Sequence, residues 1–201
     1  MSGIFPTNPK FRTLNFNNNR PTLTNQALSG RRAVRQIGSQ YFTFSVSMPP
    51  LDQDDAMDIF AFLQKQKGAF ETFTIQLPTQ NRGADKANTS VKAVGVHSAA
   101  DSTISLDGFT ASTTGVLKAG DLIKFNGHSK VYMVQTSIDS NGSGAATVTI
   151  EPNLVEALAD NETVTMNQPT FLVYLPSEEI LYATDPTGFY TISFDVREVI
   201  S

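Results

Sequence analysis

The sequence predicts a mainly β protein of the α+β class, in which a β-barrel or β-sandwich has one flanking α-helix and an inserted small β-domain. Three observations lead to this prediction. Apolar and polar residues alternate in two long segments, one segment has the apolar spacing of a helix, and the middle of the chain contains many short apolar runs separated by glycine turns. Alternation indicates strands with one buried face, and closely spaced short strands are typical of small barrels and sandwiches.

A long strand is predicted over residues 34–48. Its second half places Phe42, Phe44, Val46 and Met48 on one face, with polar or smaller residues between them. A period of two is the pattern of a strand that buries one side. We therefore expect this strand to supply the aromatic core of the first domain.

Other strands of this domain are expected at both ends of the chain. Residues 189–200 alternate regularly and are predicted to pair with the strand at 34–48. Shorter strands are predicted at 11–16 and 22–28, and the run of asparagines at 17–19 is predicted to be a turn.

A single amphipathic helix is predicted over residues 53–67. Asp52 is a suitable N-cap, and Gly68 is expected to end the helix in a left-handed conformation. The stripe expected to face the sheet repeats at helical spacing: Ala56, Ile59, Phe60 and Leu63.

The middle of the chain is predicted to be a separate insertion. Residues 79–90 contain almost no apolar side chain and are expected to be a linker. The division predicted is a first domain of residues 1–85 and 168–201, and an inserted domain of residues 86–167. Short strands are expected in the insertion at 91–96, 103–106, 115–118, 121–126, 130–137, 146–150 and 163–166.

Charge is distributed unevenly along the chain. The formal net charge is −4, yet residues 1–51 contain six lysines and arginines and no acid, which leaves nine bases and 19 acids in the remainder. Such a split fits a subunit whose basic face meets the acidic face of a neighbour. An ordinary solvated face and a nucleic-acid-binding arm are the alternatives. The residues predicted to form the subunit interface are Arg20, Arg31, Arg32 and Arg35.

The composition argues against most catalytic chemistry. The chain has no cysteine and only two histidines, His97 and His128, both expected to be structural or on the surface. No phosphate-binding glycine loop and no serine-nucleophile motif occurs. No apolar run is long enough to cross a membrane, and the first residues lack the apolar core of a secretion signal. We predict no catalytic, cofactor or metal site, and therefore no enzyme.

Two stretches resemble a known family. Residues 116–134, with a Gly-Asp turn at Gly120 and Asp121, and residues 142–152 resemble a small β-domain found in structural proteins of tailed bacteriophages. The surrounding frame of aromatic strand, single helix and closing strand is similar to the tail-tube and distal-tail family. That resemblance implies a tail-tube-type barrel assembled into sixfold rings, and a loop that stacks on the next ring, here mapped to the basic hairpin near residues 17–35.

The sequence is thus interpreted as a non-enzymatic structural subunit of a phage tail. The resemblance implies a homo-oligomeric ring, expected to be a hexamer, at the distal tail or baseplate that joins the tail tube to hub or fibre proteins. It also implies assembly in the host cytoplasm, a place in the virion, and no membrane or sequence-specific nucleic-acid partner. The alternatives are a carbohydrate-binding tail module that contacts the host surface, or a glycan-cleaving tail enzyme. A carbohydrate site requires exposed aromatic residues, and the insertion offers only Phe109, Phe125 and Tyr132.

Overall fold

A computed structural model describes residues 3–78 and 80–200, and the chain is mainly β with one α-helix in these ranges, as the sequence predicts. Two compact units are present. The first contains Pro6–Phe73 and Val173–Val199, and the second contains Gly3–Phe5 and Thr74–Leu172. The elements are β1 (Thr13–Asn19), β2 (Thr22–Gln26), β3 (Arg32–Gln36), β4 (Tyr41–Ser47), α1 (Gln53–Lys65), a 3-10 turn (Gly68–Phe70), β5 (Phe73–Gln76), β6 (Lys92–Ala93), β7 (Thr103–Asp107), β8 (Leu122–Phe125), β9 (Val131–Val134), β10 (Ala146–Glu151), β11 (Val164–Thr165), β12 (Thr170–Tyr174), β13 (Leu181–Thr184) and β14 (Tyr190–Glu198).

The strands form two six-stranded sheets and a separate two-stranded ribbon. The first sheet has the order β1-β4-β14-β12-β5, with β13 also paired to β14, and the second has the order β11-β8-β9-β10-β7-β6. The ribbon consists of β2 and β3 alone. Within the described residues, no helix is both long enough and apolar enough to span a lipid bilayer.

The aromatic face predicted for the first sheet is confirmed. Phe42, Phe44 and Val46 are buried on β4. The predicted pairing of the C-terminal strand is also confirmed, because Phe194 lies opposite Val46 and Val196 opposite Phe44 in an antiparallel register. Two long alternating strands therefore pair so that their apolar faces coincide, which is how a buried face fixes register.

Two predictions about strand boundaries near the N-terminus are wrong. Residues 34–48 do not form one strand, because residues 37–40 separate β3 from β4. The asparagines at 17–19 are not a turn but the end of β1, and Asn19 lies opposite Tyr41 of β4. The Asn19 side chain donates to Thr43 Oγ1 (2.8 Å), so cross-strand bonding overrides the turn preference of asparagine.

The helix begins as predicted and ends two residues early. Asp52 Oδ1 accepts a hydrogen bond from the Asp55 backbone (2.9 Å), which confirms the N-cap. The helix ends at Lys65, and Lys67 rather than Gly68 is the first left-handed residue, with φ of 54°. The buried Gln66 side chain donates to Phe62 O (2.8 Å) and so occupies one of the free carbonyls of the last turn.

The second sheet curls into a nearly closed barrel. Its two ends meet where the Ala93 backbone donates to Glu162 O (2.9 Å) and the Val164 backbone donates to Val91 O (3.0 Å). Six of the seven strand segments predicted in the insertion contain or overlap one strand each. The seventh segment, 115–118, contributes only an isolated bridge from Leu117 to Ile138. The core includes Ile104, Val116, Ile123, Phe125, Tyr132, Val148 and Leu158.

The segment predicted to be a linker is bound to the second barrel. Thr79 lies outside the described residues, but residues 80–90 make specific hydrogen bonds. Asn81 accepts from the Leu122 backbone (2.9 Å) and donates to Leu122 O (2.6 Å) and to Met166 O. The polar side chains of this stretch form hydrogen bonds with the barrel backbone, as a neighbouring strand would. The prediction of a linker is therefore wrong for residues 80–90.

Candidate assembly surface

The basic ribbon, residues 22–36, is an antiparallel hairpin formed by β2 and β3. Thr24 lies opposite Val34 across the two strands. The turn is closed by bonds from the Gly30 backbone to Ala27 O (2.8 Å) and from the Ala27 backbone to Arg31 O (2.9 Å). Gly30 has φ of +81°, a conformation that glycine adopts without strain, so the Ser-Gly pair in the sequence explains where the chain reverses.

Every residue of the basic ribbon is exposed to solvent. All ten residues in its two strands are exposed, including the aliphatic side chains of Leu23 at 60% and Val34 at 51%, and Leu28 is fully exposed at the tip. A two-stranded hairpin without a packed face is only marginally stable in water. The ribbon therefore leaves its aliphatic side chains in contact with solvent rather than in a packed face.

Three of the four predicted interface arginines lie in this ribbon. Arg35 faces the same side as Leu23, its register partner, whereas Arg32 lies opposite Gln26 on the other side. Arg31 stands at the start of the returning strand. Within the described ranges these three side chains form no ion pair or hydrogen bond. The ribbon thus presents positive charge on both of its faces.

The fourth predicted residue, Arg20, lies outside the ribbon. It is exposed in the connection between β1 and β2, and it interacts with its own chain. The structure therefore brings together the arginines at 31, 32 and 35 and leaves Arg20 beside the base of the ribbon. The aliphatic residues Leu23, Leu28 and Val34 were not predicted as part of the interface. The sequence signal that could have pointed to them is the lack of any aromatic residue between positions 17 and 40, which leaves this segment without large side chains to form a core.

The base of the ribbon is held to the first sheet. The Ile37 backbone donates to Pro21 O (3.1 Å), and the buried Gln40 side chain donates to Asn18 Oδ1 (2.7 Å). Because β1 pairs with β4 and β2 with β3, the ribbon continues the β1–β4 pair beyond the packed sheet. Its position is therefore fixed at the base while its tip stays in solvent.

Two buried ionisable residues outside the ribbon are hydrogen-bonded within their own chain. His128 is buried, and its Nδ1 lies 3.0 Å from Tyr132 OH. Asp121 is buried and accepts three backbone hydrogen bonds. In the part of the chain that the structure describes, no group of three or more His, Cys, Asp or Glu residues is arranged to hold a metal ion.

Comparison with known proteins finds similarity to a class of phage structural proteins, the distal tail proteins. Residues 80–168 match the family model described as distal tail protein pb9, B domain. Across nearly its whole length the chain is similar to the distal tail protein pb9 of Escherichia phage T5, with 25% identity over 199 residues, covering 96% of each chain. The resemblance to phage distal tail proteins that the sequence predicts is confirmed, and it supports a structural role in a phage tail.

Proposed function

We propose that the chain is a non-enzymatic subunit of a homo-oligomeric ring, a hexamer, at the distal end of the tail, where it joins the tail tube to hub or fibre proteins. The observation that carries this proposal is the basic ribbon, a fixed but solvent-exposed hairpin with three unpaired arginines and three exposed aliphatic side chains. The copies assemble in the host cytoplasm before the tail is complete.

The physical argument for subunit contact rests on what the ribbon exposes. Arginine is enriched at protein interfaces because its guanidinium group forms bidentate bonds with carboxylates. Leu23 and Val34 would bury apolar area beside those charges, at about 25 cal/mol per Å². A nucleic-acid arm needs the arginines but has no use for a leucine at the tip, so the mixed surface favours a protein partner.

The inserted domain lacks the aromatic platform that the carbohydrate-binding alternative requires. Phe125 and Tyr132 are fully buried, and Phe109 is 5% exposed. These are the three aromatic residues of positions 86–167, and none can stack on a sugar ring without unfolding the barrel. We therefore propose a role for the insertion in contact with other tail proteins.

The test is assembly of a charge-reversed ribbon. The double variant Arg31→Glu and Arg32→Glu is expected to stay folded by circular dichroism, since both side chains are exposed, but to be missing from tails viewed by electron microscopy. The matched control is Lys10→Glu with Arg12→Glu, which changes the net charge equally at exposed positions outside the ribbon. Normal incorporation of the ribbon variant, together with tight and strongly salt-dependent DNA binding by the wild type, would overturn the proposal.

A further inference from the structure

A second exposed surface of the first unit contains aromatic residues in contact with one another. Tyr182 on β13 packs edge-on against Phe60 of α1, with ring centroids 4.9 Å apart, and its ring lies 6.1 Å from that of Tyr190. Leu181 is 66% exposed and Phe189 is 47% exposed beside them. The helix and the β13–β14 hairpin therefore share one solvent-facing apolar area.

Acidic residues surround this apolar area. Asp185 occupies the turn between β13 and β14, and its Oδ1 accepts from the Thr187 and Phe189 backbones (2.9 and 3.0 Å). Reciprocal backbone bonds of 2.9 Å between Leu51 and Tyr190 bring the exposed Asp52 next to the same hairpin. We call this surface the acidic aromatic patch, defined by Asp52, Glu178, Glu179, Leu181, Tyr182, Asp185, Phe189 and Tyr190.

We propose that the acidic aromatic patch of one copy binds the basic ribbon of a second copy. This inference rests on the proposed ring and specifies its contact. Residues 22–36 contain three arginines and no acid, whereas residues 177–190 contain three acids and no base. Both surfaces also expose apolar side chains, so contact between them combines opposite charge with apolar burial.

The pairing is of the head-to-tail type, which is the type of contact that builds a ring. The ribbon and the patch are different surfaces of the same chain, so contact between them is head-to-tail and leaves one free ribbon and one free patch on any open oligomer. Such contacts repeat from copy to copy and form a ring when the rotation between copies closes. A second copy is thus a better occupant than an unrelated partner, because the same sequence supplies both complementary surfaces.

The first experiment exchanges the charges. The ribbon variant Arg31→Glu/Arg32→Glu and the patch variant Glu178→Lys/Glu179→Lys should each raise the protein concentration needed for half-assembly, measured by mass photometry, by more than about tenfold. The four-residue variant that combines them restores complementary charge and should assemble near the wild-type concentration. Assembly by the patch variant at the wild-type concentration would overturn the pairing while leaving the ring intact.

The second experiment uses the absence of cysteine from the chain to cross-link copies inside assembled tails. With Leu28→Cys and Leu181→Cys in the same chain, oxidation should give a ladder of covalent oligomers on a non-reducing gel. Leu28→Cys with Val96→Cys, at an exposed position of the inserted domain, is the matched control and should give no ladder. Visible rings without a ladder contradict the pairing alone, whereas tails that contain the protein without any ring contradict the proposed function.

Discussion

Single buried polar side chains hold the beginning of the second barrel in place. Asp121 is 2% exposed, and its carboxylate accepts from the backbones of Arg82 (2.8 Å), Gly83 (2.9 Å) and Lys118 (2.9 Å). A Cβ at Gly83 would lie 2.2 Å from Val116 O, so only glycine allows the chain to pass this close to the Val116 backbone while its N–H bonds the carboxylate. The Gly-Asp turn at residues 120–121 thus anchors the segment that enters the barrel.

Replacing Asp121 with asparagine should destabilise the protein by about 3 kcal/mol. An amide offers one acceptor oxygen where the carboxylate offers two, and its NH₂ group would face a buried backbone donor, which leaves a polar group unsatisfied. Urea unfolding followed by circular dichroism measures the change. Asp107→Asn, at an exposed position, is the control and should alter the free energy of unfolding by less than about 0.5 kcal/mol. Equal effects of the two substitutions would contradict the role assigned to Asp121.

Asp85 should make stability depend on pH in the acid range. Burial raises the pKa of this carboxyl, but hydrogen bonds from the Asn88 side chain and from the backbone and hydroxyl of Thr110 outweigh it and hold the pKa below its ordinary value of 3.8. The folded state therefore binds the proton more weakly than the unfolded state. The stability that Asp85 contributes is present above the unfolded pKa and is lost as the pH falls through the folded pKa.

The measurement compares wild type with Asp85→Asn in unfolding experiments from pH 7 to pH 2. The difference in free energy should be constant down to about pH 4 and should shrink below it. A difference that changes between pH 5 and pH 7 would show that another group is responsible.

At the level of elements, the strands that bury one face at regular spacing were predictable from the sequence, whereas the breaks between strands were not. The alternation in β4 and β14 predicts both strands and their pairing, because one buried face leaves a single register that hides Phe44 and Val196. The prediction extended the alternation of residues 42–48 back to residue 34, although Gly38, Ser39 and Gln40 interrupt it. In the structure the Ile37 backbone donates to Pro21 O at this break. Charge alone leads to the prediction that Arg31, Arg32 and Arg35 form an interface, and this stays a prediction. The aliphatic side chains beside them become notable only once their exposure is known.

The helix α1 should be held mainly by its buried stripe. Leu63 is fully buried, so Leu63→Ala should cost about 2–5 kcal/mol in thermal or urea unfolding. Asp52→Ala should cost about 1 kcal/mol, because it removes the hydrogen bond to the Asp55 backbone. Gln64→Ala, next to Leu63 but exposed, serves as the control and should be nearly neutral. A Leu63→Ala variant as stable as wild type would mean that the helix contributes little to the core.

On the scale of the whole molecule, the chain forms two compact units whose boundaries differ from those of the predicted domains, at residues 73 and 172 rather than 85 and 167. The core of the second barrel is drawn from residues between Val91 and Met166. The first unit buries Phe44, Leu63 and Ile192, which come from outside that range. The family match begins at residue 80 and therefore includes the stretch that the sequence had suggested was a linker. The start of the inserted domain therefore depends on whether residues 80–85 belong to it.

We expect the fragment 80–168 to fold independently and to unfold cooperatively in urea, because it contains its complete core and the donors that surround Asp121. The fragment 86–167 is the matched comparison: it keeps the same core but lacks Asn81, Arg82 and Gly83. Its Asp121 would lose two of three backbone donors, so this fragment should be less stable by several kcal/mol, on the order of 2–5. Equal stability of the two fragments would place the domain boundary at residue 86, and lack of cooperative unfolding in 80–168 would contradict independent folding.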